Sequence, residues 1–95
     1  MSHILDDLFA VIDARAGADP GASYTARLLA QGPAHAARKV GEEAIEVVVE
    51  GVRGDKALLA AESADLLYHL LVLWKACGLA PAQVWAELAR RRAEG

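Results

Sequence analysis

The sequence predicts an all-α protein of four to five helices, and three observations carry that prediction. Hydrophobic residues make up 55% of the 95 positions but aromatic ones only 5%. The interior must therefore be built from Ala, Leu and Val, and Ala and Leu are strong helix formers. Apolar residues recur at helical spacing, and no stretch shows the period of two that marks a strand. Ser, Asp, Gly and Pro fall between those stretches, where helices start and stop. Ninety-five residues make one domain, 1–95, near the lower limit of what a single core supports.

Each element has its own justification. Over residues 2–15, Ile4, Leu5, Leu8, Phe9 and Ile12 share a helical face, and Ser2 is placed to cap it. GADPGAS (17–23) is a turn cluster, after which Ser23 caps a short helix, YTARLLAQ, that stops at Gly32. Pro33 suits the first turn of the next helix, which runs to about residue 52 through KVGEEAIEVVVE. Gly54 stops it, and Asp55 caps a long helix over 56–77 that Gly78 ends. Pro81 opens the last helix, to residue 92. The link around Arg53 and Gly54 is short enough to make the third and fourth helices antiparallel neighbours.

The long helix has no charged residue between Asp65 and Lys75, and LLYHLLVLW is apolar around nearly its whole circumference. Such a helix needs cover on every side. A chain this small covers only part of the cylinder, so an antiparallel bundle completed by homodimerisation is expected, with this helix at the interface. Trp74 and Trp85 are expected in the core or that interface.

Composition excludes several functions. A net charge of −3 argues against nucleic-acid binding, which needs a basic surface. A lone cysteine, Cys77, allows neither an internal disulfide nor zinc spacing, and is expected as a small buried hydrophobe. The uncharged run 66–74 is too short for a bilayer, and the acidic start MSHILDDLFAVI does not resemble a signal peptide. A soluble cytoplasmic protein without membrane partners is expected.

The chemistry lies in the acids. Helical winding puts Lys39, Glu42, Glu43, Glu46 and Glu50 on one side of KVGEEAIEVVVE, and Val40, Ala44, Val47 and Val48 on the other. Like charges so spaced cost about 0.2–0.5 kcal/mol per pair, and Lys39 offsets only one. ESAD places Glu62 and Asp65 one turn apart, with His69 a turn further. On antiparallel neighbours the two acidic pairs converge, and carboxylates so gathered repel and protonate unless a cation lies among them. Oxygen donors without Cys or His suit a hard cation. Mg²⁺ takes a few carboxylates and leaves its other positions to water and phosphates. A Mg²⁺ site that grips a phosphorylated small molecule is therefore expected, with Glu50 at its far end as plain surface and His69 as a satisfied core histidine.

In this order, SYTARLLAQG, KVGEEAIEVVVE and ESADLLYHLLVLW resemble the phosphoribosyl-ATP pyrophosphohydrolase family of histidine biosynthesis, within the all-α MazG-like nucleoside triphosphate pyrophosphohydrolases. The likeness runs from Leu8 to Leu88; E-x-x-E…E-x-x-D marks the wider group, while SYTA and LLYHLLVL point to this member. The resemblance implies an α-helical homodimer that needs Mg²⁺. It would hydrolyse phosphoribosyl-ATP between the first and second phosphates, giving phosphoribosyl-AMP and pyrophosphate in the second step of that pathway. Metal ligands then fall on Glu43, Glu46, Glu62 and Asp65. Glu42 and Glu46 are the candidates for orienting or deprotonating the attacking water. Tyr24, Arg27 and Lys39 are the candidates for holding substrate, Lys39 either on a phosphate or paired with Glu43. No residue resembles a covalent nucleophile. Two other functions fit the acids: a related pyrophosphohydrolase acting on dUTP, dCTP or a damaged nucleotide, and a non-catalytic helical dimer that binds a structural cation or a basic partner.

Overall fold

The computed structural model describes residues 3–95. They form five helices and, among the described residues, no strand: α1 (Ile4–Arg15), α2 (Tyr24–Ala30), α3 (Pro33–Arg53), α4 (Lys56–Ala76) and α5 (Pro81–Glu94). The all-α expectation holds, with every helix boundary within two residues of its expected place.

Local devices set those boundaries. The anticipated Ser2 cap lies outside the described residues; His3 occupies the cap position, its Nδ1 accepting the Leu5 N–H at 3.1 Å. Ser23 Oγ accepts the Ala26 N–H at 3.1 Å and starts α2. Pro33 takes the first turn of α3, where its missing N–H costs nothing. Gly54 closes α3 with φ of 78°, the left-handed geometry that only glycine adopts without strain. Asp55 then accepts the Leu58 N–H at 3.0 Å and opens α4. At α5, Pro81 again leads, and the Ala80 N–H donates to Gln83 Oε1 at 3.2 Å.

With two residues between two 21-residue helices, α3 and α4 fold back as an antiparallel hairpin, the dominant packing in the molecule. α1 and α2 lie against α4. Their shared core is Ile12, Leu28, Ala36, Leu71 and Val72, ringed by Leu5, Leu8, Phe9, Leu29, Tyr68 and Trp74. α5 attaches through Trp85, which meets Trp74 edge to face at 5.8 Å and donates its indole N–H to Asp6 at 2.8 Å.

The rotation of α3 differs from the simple two-sided reading. Its α4-facing side carries Ala36, Val40, Glu43, Val47 and Glu50, so acids and apolar residues share the packed face. Val48, expected on the buried side, is 63% exposed, and with Ile45, Val49 and Val52 it forms an apolar stripe facing away from α4. The surplus apolar surface expected on α4 is thus divided: α4 leaves Leu58 and Leu67 exposed, and the larger stripe lies on α3. Glu50 is buried rather than plain surface. Cys77, at the C-cap of α4, is exposed rather than buried.

Candidate active site

The hairpin positions the acids. Glu43 projects from α3 toward α4, where Glu62 and Asp65, one turn apart, project back. One carboxylate oxygen from each of the three lies within 4.8 Å of the others. Partial burial pushes the Glu62 carboxyl above its usual range, and the charges of Asp65, Glu46, Glu43 and Glu50 push it further. A group held this way favours a positive charge beside it. An all-oxygen set of three converging carboxylates matches what a hard divalent cation takes from a protein, with coordination positions left for water and phosphate. The residues present fit Mg²⁺.

Glu46 stands apart from this trio: it is exposed and is not among the meeting oxygens, although its charge acts on Glu62. Glu42 faces solvent and pairs with Lys39, Nζ to Oε2 at 3.3 Å. Lys39 therefore pairs with Glu42 rather than Glu43. That hydrogen bond, together with the nearby negative charges, raises the lysine's pKa and holds it cationic at the rim.

Beside the acids lies an aromatic and imidazole network. His69 is buried, and its Nδ1 lies 2.7 Å from the Asp65 carbonyl. A carbonyl only accepts, so Nδ1 carries a proton, and in the neutral ring Nε2 is then the acceptor. The Tyr24 hydroxyl, 3.2 Å from Nε2, is then the donor. The expectation of a satisfied core histidine holds, and the partner at Asp65 is the backbone rather than the carboxylate. Tyr24 stacks on Tyr68 at 6.3 Å and 20°. Tyr68 in turn hydrogen-bonds Thr25, and burial pushes its phenol pKa up. The Arg27 guanidinium lies 5.6 Å over the Tyr24 ring, with Nη1 on the Pro20 carbonyl at 3.3 Å.

The structure thus gathers Glu43, Glu62 and Asp65, flanks them with Glu46 and Lys39, and ties Tyr24 to the backbone of Asp65 through His69. Sequence reasoning took Glu50 for plain surface and missed the contact between Thr25 and Tyr68. The signal for Glu50 was its sharing a helical face with Ala36, Glu43 and Val47. Thr25 and Tyr68 meet across 43 positions, and no local pattern announces that contact.

The chain is similar to known proteins over nearly its whole length. Residues 5–92 match the family described as Phosphoribosyl-ATP pyrophosphohydrolase. The chain is 62% identical over 88 residues to the phosphoribosyl-ATP pyrophosphatase of Azospirillum brasilense, covering 93% of this chain and 79% of that protein. Against the protein of the same name from Paramagnetospirillum magneticum it is 58% identical over 90 residues, covering 95% and 83%. For the Cereibacter sphaeroides protein, identity is 56% over 88 residues, covering 93% and 85%. With a family match across nearly its whole length and relatives this similar, the chain belongs to the phosphoribosyl-ATP pyrophosphohydrolase family.

Proposed function

We propose that this chain is a Mg²⁺-dependent phosphoribosyl-ATP pyrophosphohydrolase that acts in histidine biosynthesis as a soluble, cytoplasmic homodimer. The observation that carries the reading is the meeting of Glu43, Glu62 and Asp65 across the α3–α4 hairpin, in a chain of this family. Water adds to the triphosphate, the bridge between the first and second phosphates breaks, and phosphoribosyl-AMP and pyrophosphate leave. Glu43, Glu62 and Asp65 would hold the metal, and Glu46, outside the meeting oxygens, stands beside them. Bound Mg²⁺ supplies neutralisation of the charge that builds on the departing pyrophosphate.

The chain's own residues divide the remaining work. Glu46 has no ion-pair partner among the described residues, so its carboxylate is free to orient the attacking water and take its proton. Glu42, paired with Lys39, is the weaker candidate for that task. Lys39 stays cationic at the edge of the site and can shift from Glu42 onto a phosphate oxygen. Tyr24 and Arg27, exposed and stacked together, offer a planar and cationic surface for the rest of the substrate. The exposed stripe of Ile45, Val48, Val49 and Val52 suits burial against a second copy.

The test is pyrophosphate release from phosphoribosyl-ATP, dUTP, dCTP and ATP, by the parent protein and by Glu46→Gln. Release from phosphoribosyl-ATP alone, lost in Glu46→Gln with the fold intact, supports the proposal. A preference for dUTP or dCTP would move the assignment to a nucleotide-cleansing enzyme. No release from any triphosphate would leave a binding protein. Complementation of a histidine auxotroph lacking this step tests the same assignment in cells.

A further inference from the structure

Glu50 stands outside the acidic pairs that define the site, yet it is the acid of α3 most removed from water, with only 7% of its surface exposed. Its Oε1 is fully buried and has no hydrogen-bond partner among the described residues. The nearest cation, Arg53 Nη1, is 3.6 Å away on a side chain that is 62% exposed, beyond hydrogen-bonding distance. A buried carboxylate oxygen left in this condition is costly, and proteins keep one only where something else offsets it. Glu50 shares the α4-facing side of α3 with Glu43 and Val47, two turns from Glu43 and one from Glu46. Its charge is felt at Glu62 across the hairpin.

We propose that Glu50 is a fifth acid of the cation site, its buried Oε1 accepting hydrogen bonds from water retained by the divalent ion at Glu43, Glu62 and Asp65. The inference rests on reading those three acids as a divalent-cation site. Mg²⁺ and Mn²⁺ keep several waters when bound by few carboxylates, and those waters need acceptors. Partners of this outer kind set affinity by about 10- to 100-fold without touching the ion. The buried oxygen, which has no hydrogen-bond donor among the described residues, would take one from the ion's water. Arg53 offsets its charge only from outside.

The experiment is Mn²⁺ titration, followed by calorimetry and by the loss of the free-ion paramagnetic resonance signal, with melting temperatures measured without metal. It uses the full chain and the variants Glu50→Gln, Arg53→Met and Glu43→Gln. Glu50→Gln should weaken Mn²⁺ binding about tenfold while melting at or above the parent temperature without metal. Arg53→Met should change Mn²⁺ affinity by less than about twofold, and Glu43→Gln should remove most of the binding. If Glu50→Gln and Arg53→Met both lower the metal-free melting temperature and neither alters Mn²⁺ affinity, Glu50 is a structural partner of Arg53 and the inference fails alone. If the parent protein binds no Mn²⁺, the cation site itself fails and takes the inference with it. Should Glu50→Gln not fold, Glu50→Asp, which keeps the charge and retracts the carboxylate, makes the same comparison.

Discussion

The Tyr24–His69 contact offers the most quantitative test of the site's construction. Tyr24→Phe removes one hydrogen bond of 3.2 Å and leaves His69 Nε2 buried without a donor. Orphaning a buried acceptor costs about 1–3 kcal/mol. His69→Phe conserves the ring volume and removes both imidazole hydrogen bonds. The Tyr24 hydroxyl can then turn to water because that residue is 46% exposed. This change should cost about 1–2 kcal/mol. Once position 69 is phenylalanine there is no acceptor left to orphan, so adding Tyr24→Phe should cost under about 0.5 kcal/mol. The cycle therefore predicts a coupling of about 0.5–3 kcal/mol, at about 4–8 °C in melting temperature per kcal/mol for a domain of this size. Urea denaturation of the four proteins measures it. Additivity within about 0.5 kcal/mol would refute the bond and, with it, the argument that His69 ties α2 to the backbone at Asp65.

Three further outcomes follow from the packing and electrostatics. The Glu62 carboxyl titrates above its ordinary value of about 4.3, so the folded chain holds that proton to higher pH than the unfolded one. The stability this contributes is complete below about pH 4.3 and is lost as pH rises through the raised value. Metal-free Glu62→Gln should therefore melt above the parent at neutral pH, with the gap closing toward about pH 4; saturating Mg²⁺ should stabilise the parent and not the variant. Leu71→Ala, at a position only 1% exposed, should cost about 2–5 kcal/mol in urea denaturation. Ser23→Ala, which removes the acceptor for the Ala26 N–H, should cost about 1 kcal/mol, and Ser23→Asp should restore most of it.

Helix ends were legible because their causes are local. Ser23, Pro33, Gly54, Asp55 and Pro81 each act within four residues, so the sequence alone carries the information. The antiparallel pairing of α3 and α4 was legible too, since two linking residues permit little else, and the approach of Glu43 to Glu62 and Asp65 follows from it. What the sequence hid depends on rotation and distance. Sorting KVGEEAIEVVVE into an acidic side and an apolar side put Val48 inward and Glu50 outward, whereas the helix turns Glu43, Val47 and Glu50 together toward α4. A count along the face from Ala36 would have found this, because positions 36, 43, 47 and 50 lie in one row. The contact between Tyr24 and His69 spans 45 positions and depends on where α2 docks, which no spacing rule fixes.

Two neighbouring helices aiming their carboxylates at one divalent ion, which in turn grips a nucleotide's phosphates, is the claim on which the proposed chemistry depends. Anomalous scattering from a Mn²⁺-soaked crystal, collected with and without a non-hydrolysable nucleoside triphosphate, measures this directly. The expected result is a peak ligated by Glu43, Glu62 and Asp65, strengthened when phosphate oxygens join it. Side chains at those positions pointing into bulk water, with no peak between them in either crystal, would contradict it.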